Sequence, residues 1–145
     1  MARDTQTGQV AENMLIPALK KGGYNASAQY FVGQKLNGRR HIVDYMVDKD
    51  GLRILVSKKW QQSGGTAEEK VPYEVICLMN ACKKGYNRAF LVLGGTDADS
   101  ERGLTGWTLR KFYVDGGLSE FIDYKKLVQI VTLEQFVSLA NQGKL

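Results

Sequence analysis

The run His41-Ile42-Val43-Asp44-Tyr45-Met46-Val47, the turn Asp48-Lys49-Asp50-Gly51 and the stretch Leu52-Arg53-Ile54-Leu55-Val56-Ser57-Lys58-Lys59-Trp60-Gln61 decide how this chain folds. Side chains alternate along a strand, so every second residue shares a face. On the second strand Leu52, Ile54 and Val56 fall on one side and Arg53, Leu55, Ser57, Lys59 and Gln61 on the other. On the first, Val43, Tyr45 and Val47 alternate with Ile42, Asp44 and Met46. The short Asp-Lys-Asp-Gly link, with glycine supplying a positive φ, is a hairpin signal that makes the strands antiparallel neighbours. Asp44, Ser57, Lys59 and Gln61 are then expected on one face, a set suited to a divalent metal beside a phosphodiester. Ser57 stands where such a site would want a carboxylate.

Working outward, the 145 residues suffice for one sizeable core, and no Pro/Ser-rich linker divides them, so residues 1–145 are expected to form a single domain. Twenty Lys and Arg against 15 Asp and Glu give a net charge of +5, a balance that favours polyanionic partners. No apolar run reaches membrane-spanning length and no signal peptide is evident, which makes a cytoplasmic protein the expectation. Cys77 and Cys82 lie five residues apart in a predicted helix, a spacing that fits no zinc pattern, and are expected as reduced packing residues.

The flanking segments supply an order of elements. Thr7 to about Lys21 reads as an amphipathic helix, with Val10, Met14, Ile16 and Leu19 apolar and Pro17 expected to bend or shorten it; Gly22-Gly23 ends it. Gln29 to Leu36 reads as a strand, turned at Asn37-Gly38 into the Asp44 strand. A Ser63-Gly64-Gly65 loop leads to a helix from Thr66 or Val71 to Lys84, with Thr66 and Glu69 as a capping box and Pro72 arguing for the later start. Ala89 to Leu93 reads as a buried strand, Trp107 to Val114 is ambiguous, Val128 to Val131 is a short strand and Leu133 to Asn141 a closing helix.

This α-β-β-β-α-β order, an Asp on the second strand and an acid-x-Lys position ending the third resemble the PD-(D/E)XK nuclease superfamily. The match covers roughly residues 7–93, with residues 94–145 as an extension. The resemblance implies an α/β, restriction-endonuclease-like αβββαβ core, a mixed central sheet flanked by helices, with a C-terminal β/α extension. Asp44 matches the first acidic residue, although Val43 stands where a proline is common; Ser57-Lys58-Lys59 occupies the (D/E)-x-K tripeptide. Gln61 matches a glutamine often found two residues past the lysine, and Glu12 an acid that some branches, including Holliday-junction resolvases, add to the metal site. In that pattern carboxylates hold Mg²⁺, or Mn²⁺ as a substitute, and the lysine positions water or stabilises developing charge.

Three readings of Ser57 stay open at this point. The acid has migrated to the following helix, as in restriction enzymes that read Ser-x-Lys; Glu74 lies on the edge of the Val71, Val75, Leu78, Cys82 stripe, Glu68 on the opposite edge, and Glu69 points outward. Alternatively Glu12 and Asp44 bind the metal without an acid at position 57, or the site is disabled.

The implied function is a metal-dependent DNA endonuclease, site-specific in the restriction or homing manner, acting on double-stranded DNA as a homodimer or higher homo-oligomer. A junction resolvase and a catalytically disabled DNA-binding module are the alternatives. Arg39, Arg40, Lys58, Lys70, Lys83, Lys84 and Arg88 are candidate phosphate contacts. The loop from Ser63 to Thr66 is expected to track a DNA backbone, and Arg102, Trp107, Arg110, Lys111 and Tyr113 to read sequence unless the aromatics are core. His41, of opposite parity to Asp44, is expected at a strand entry or on a phosphate.

Overall fold

A computed structural model describes residues 2–61 and 67–145, with side chains from residue 12 onward. The expected Ser63-Gly65 loop and the Thr66 cap lie outside the described residues, and the Val10 side chain outside the described side chains. The elements are α1 (Ala2–Lys21), β1 (Asn25–Gln34), β2 (Arg40–Lys49), β3 (Leu52–Gln61), α2 (Ala67–Cys82), β4 (Arg88–Gly95), α3 (Arg110–Val114), a 3₁₀ turn (Gly117–Glu120), β5 (Val128–Thr132) and α4 (Leu133–Asn141). One mixed sheet runs in the order β1-β2-β3-β4-β5. The first three strands are antiparallel, and β4 and β5 join parallel to β3. This is the αβββαβ architecture with its β/α extension.

Why these residues form these elements is largely a matter of which side chains find a core. The central β3 and β4 carry near-continuous apolar runs, Ile54 to Val56 and Ala89 to Leu93, because both sheet faces are covered. On one face α1 and α4 pack Leu15, Leu19 and Phe136 against Val47, Ile54, Val56, Phe90 and Val92. On the other, α2 packs Val71, Val75 and Leu78 against Leu55, Leu91 and Leu93. Asp50 and Gly51, at φ 52° and 84°, make the β2–β3 turn.

Two boundaries, at α1 and β1, differ from the sequence reading, and at α2 the earlier of the two expected starts holds. Helix α1 begins at Ala2 and continues through Pro17, held by buried Leu15, Ala18 and Leu19 on either side of it. Helix α2 begins at Ala67 despite Pro72, its first-turn Ala67 N–H bonded to the Gln61 side chain at 3.0 Å. β1 begins at Asn25, a polar, exposed stretch whose partner is simply the rest of β2. The ambiguous Trp107–Val114 segment resolves into an isolated bridge from Trp107 to Asp97 followed by α3.

Alternation also fails at one informative place. In β1 the register runs from Ala28↔Tyr45 to Tyr30↔Val43 without a Gln29↔Asp44 step, and Gln29 has φ 50°. Beyond that twist the faces exchange. Val43 packs in the α2 layer while Tyr45 packs in the α1 layer, although simple parity puts them together. His41 goes with Val43. It stands at the entry of β2, as one of its two expected places had it, but the other, on a phosphate, is corrected: it is 2% exposed, under α2.

Candidate active site

The site is built where β2 leaves β3. Their ladder runs from Lys49↔Leu52 to Tyr45↔Val56 and stops, although one further step would set Asp44 against Ser57. β3 continues alone with β4 as far as Gln61↔Gly95. The Lys58 N–H that faces the departed strand donates instead to Asp44 Oδ2 at 2.7 Å. Because Leu55 faces the α2 layer, Ser57 and Lys59 face it too, while Lys58 turns to the α1 side with its ammonium 5.8 Å from the Tyr45 ring centre.

Helix α2 brings Glu74 into this opening. Glu74 is 5% exposed and its Oε2 lies 3.1 Å from His41 Nε2. The bond fixes the tautomer: an ionised carboxylate only accepts, so Nε2 carries the proton. The Ser57 hydroxyl also donates to Glu74. Burial opposes ionisation of Glu74, but the His41 hydrogen bond, the Lys59 charge, the electrostatic pull of His41 and the Ser57 hydroxyl outweigh it, holding the carboxyl below its ordinary range. Asp44 is the opposite case. Burial pushes its pKa up, and the Lys58 N–H, Lys58, Lys59 and the neighbouring Glu74 charge modify that without reversing it. Two neighbouring carboxylates with opposed shifts sharing one lysine are an arrangement more common at functional sites than elsewhere.

The remaining expected site residues fall in different places. Gln61 is buried, and its Oε1 holds the Ala67 N–H at the start of α2, tying the end of β3 to the helix that carries Glu74. Glu12 hydrogen-bonds Tyr45, on the α1 side; burial, followed by the Glu12 and Asp44 charges, pushes the Tyr45 hydroxyl up to about 12. Glu68 is engaged elsewhere. It accepts from the Thr108 N–H, from Thr108 Oγ1 at 2.7 Å and from the Leu109 N–H at 2.6 Å, pinning the segment that leads into α3. Burial opposes its ionisation, yet the Thr108 and Leu109 bonds lower its pKa from the usual 4.5. A lowered folded pKa stabilises the fold above the unfolded value and loses that contribution as pH falls through the folded one. Glu68→Gln should therefore flatten the acid side of a stability profile from about pH 4.5 downward, measured by urea unfolding across pH; an unchanged profile would remove Glu68 from this role.

The expected DNA contacts divide similarly. Arg39, Arg40 and Lys70 are exposed and Lys58 is half-buried beside Tyr45. The Arg110 guanidinium pairs with Asp97 at 2.9 Å and donates to the Gly95 carbonyl, with 16% of the side chain exposed. Trp107 and Tyr113 are core residues, their polar ends bonded to the Gly94 carbonyl at 2.6 Å and the Glu68 carbonyl at 2.8 Å. Arg102 pairs with Asp99, and Lys111 with Asp115, on the surface. The role of His41 under Glu74 and the clamp of Glu68 on residues 108–109 are tertiary facts with no local sequence signal. Cys77 and Cys82 are free and buried, and burial pushes the Cys82 thiol up to about 11. Among the described residues no three His, Cys, Asp or Glu side chains converge as a ready-made metal cluster, and no helix is long and apolar enough to cross a membrane.

Comparison with known proteins places this geometry in context. No curated protein matches the chain. Among solved structures it is similar to a protein of unknown function, AF1548, at TM-score 0.48 and 11% identity, covering 82% of this chain and 54% of that one. It is also similar to the small subunit of the heterodimeric restriction endonuclease R.BspD6I, at TM-score 0.41 and 22% identity, covering 85% of this chain and 61% of that one. The chain thus spans less than two thirds of either structure. A family model for PD-(D/E)XK nuclease superfamily domains matches residues 3–144, nearly the whole length, and by that match the chain belongs to the PD-(D/E)XK nuclease superfamily.

Proposed function

We propose that the protein is a Mg²⁺-dependent DNA endonuclease in which the second carboxylate has moved from β3 to α2. The observation that carries this reading is the pair Asp44 and Glu74, both in the opening between β2 and β3 and both acted on by Lys59, with Ser57 donating to Glu74 from the position where the family pattern expects an acid. The donor set fits a hard divalent ion. It is all oxygen, and the buried Asp44 carboxylate, disfavoured as an anion by its surroundings, is what a nearby cation would relieve. Asp44 and Glu74 would hold the ion, with most of its shell left to water and phosphate, as Mg²⁺ prefers. When bound, the ion polarises the phosphoryl oxygen and lowers the pKa of an attacking water.

The chain's own residues do the rest. Lys59, on the face of Ser57, stabilises charge developing on the phosphate. His41 and Ser57 orient Glu74 and keep it ionised. Gln61 holds β3 to α2, and Glu12 holds Tyr45, so neither is assigned to the ion. Double-stranded DNA as substrate, site-specific cutting and a symmetric oligomer that presents one site to each strand complete the reading.

The test is plasmid cleavage with Mg²⁺ or Mn²⁺. The protein as it stands should convert supercoiled plasmid to nicked or linear forms, and chelation should stop it. Cleavage that appears only after Ser57→Glu would instead establish a disabled site, and silence from both would sink the nuclease reading.

A further inference from the structure

The β1–β2 hairpin projects past the point where β2 and β3 separate, so its outer half, residues 30–43, is paired within itself and braced against α2 by the Tyr73 hydroxyl, which accepts the Asn37 N–H at 3.0 Å. Its turn is closed by Gly38 at φ 85° and by Asn37 Oδ1, which accepts the Arg39 N–H at 3.0 Å. The two faces of this half differ sharply. One is buried, with Val32, His41 and Val43 under α2. The other bears Phe31 at 50% and Ile42 at 44% exposure, paired across the strands, with Gln34 paired to Arg40 and the Arg40 guanidinium 4.8 Å above the Phe31 ring. From Asn25 to Val43 there is no acidic residue, and Lys35, Arg39 and Arg40 fall within that span.

From this face we infer that the hairpin is the sequence-reading element of the protein, entering the major groove of duplex DNA beside the site. The inference rests on the endonuclease reading above. A two-stranded ribbon fits the major groove, where an arginine pairs bidentately with guanine, a glutamine with adenine, and apolar side chains meet the thymine methyl. Arg40, Gln34, Phe31 and Ile42 offer all three kinds of contact on one surface. A patch that only neutralised phosphate would need its cations and not two large exposed hydrophobes. The wholly basic span supplies the charge complementarity, and the base of the ribbon is Asp44 itself, so a duplex gripped by the outer half passes the site. The ribbon takes the reading role that Trp107, Tyr113 and Arg110, fixed in the body of the protein, do not fill.

The test uses Arg40→Lys, which keeps the charge and the exposed position but removes the bidentate fork, beside Lys126→Ala, at an exposed lysine outside the ribbon, as a surface control. Each is bound to a pool of duplexes with a randomised centre, the selected sequences are read, and affinity for an unselected duplex is measured over a salt series. Arg40→Lys should cost roughly tenfold to a hundredfold in discrimination at one guanine position while leaving unselected binding nearly unchanged. Gln34→Ala should relax a different position, and Lys126→Ala none. An unaltered selected sequence in both ribbon variants overturns the inference, as does failure of the protein to select any sequence. A change confined to self-association also overturns it, by making this face a contact between copies. Plasmid cleavage is measured in parallel to separate the two readings. Ribbon-dependent selection without cleavage leaves the ribbon and removes the nuclease; cleavage with ribbon-independent selection does the reverse.

Discussion

Replacing Asp44 with Asn should make the protein both inactive and more stable. Loss of the charge removes a ligand of the proposed ion, and a metal-centred contribution of several kcal/mol corresponds to a fall in plasmid cleavage of about a thousandfold or more. The stability half follows from the direction of the Asp44 shift. Burial raises its folded pKa above the ordinary 3.8. A carboxyl that holds its proton more tightly when folded costs stability as pH rises from the unfolded value through the folded one, and the whole cost is present at neutral pH. Asn removes the charge while its carbonyl oxygen still accepts the Lys58 N–H, so the bond to β3 survives. Urea unfolding at neutral pH should show the gain, which should shrink as pH falls through the raised folded pKa and be gone below about pH 3.8. The same pair of proteins tests the ion without any cleavage assay: Mg²⁺ should raise the melting temperature of the protein as it stands and not that of Asp44→Asn. An active Asp44→Asn variant would remove the assignment.

Glu74→Gln is expected to abolish cleavage as fully as the Asp44 change, whereas Glu68→Gln should retain it. The two glutamates sit six residues apart on one helix, and their partners separate them. Glu74 faces His41, Ser57 and Lys59, while Glu68 is occupied with Thr108 and Leu109. Gln at position 74 is nearly the same size and can still bond His41 and Ser57, so a folded but silent variant isolates the charge. His41→Ala is the companion measurement. It leaves Glu74 buried without its strongest stabilising partner, an arrangement in which the carboxylate takes up its proton more readily. Cleavage by His41→Ala should therefore fall about ten- to a hundredfold, the usual effect of losing a group that orients a metal ligand, and recover partly at higher pH. Near-normal cleavage by Glu74→Gln would eliminate the migrated acid outright.

Strand parity and the hairpin turn were sufficient to place Asp44 against the Ser57–Lys59 segment, because those signals are local. The helical stripe of α2 likewise put Glu74 at the edge of the core. His41 could not be placed in that way. Its position depends on a break in alternation between Val43 and Tyr45, opposite the twist at Gln29, and no glycine announces it. The aromatic and basic residues after position 100 were illegible for a related reason: Trp107, Tyr113 and Arg110 are fixed by bonds to the carbonyls of Gly94, Glu68 and Gly95, contacts between distant segments that composition does not encode.

The bond from the Lys58 amide to Asp44 joins two properties usually held apart. Where β2 turns away, a side-chain oxygen continues the strand pairing that the backbone has given up. The exchange of that one amide hydrogen with solvent is therefore governed by the state of a carboxylate, and hydrogen–deuterium exchange at Lys58 would follow the charge on Asp44 directly, in a protein caught at rest and with no substrate turned over.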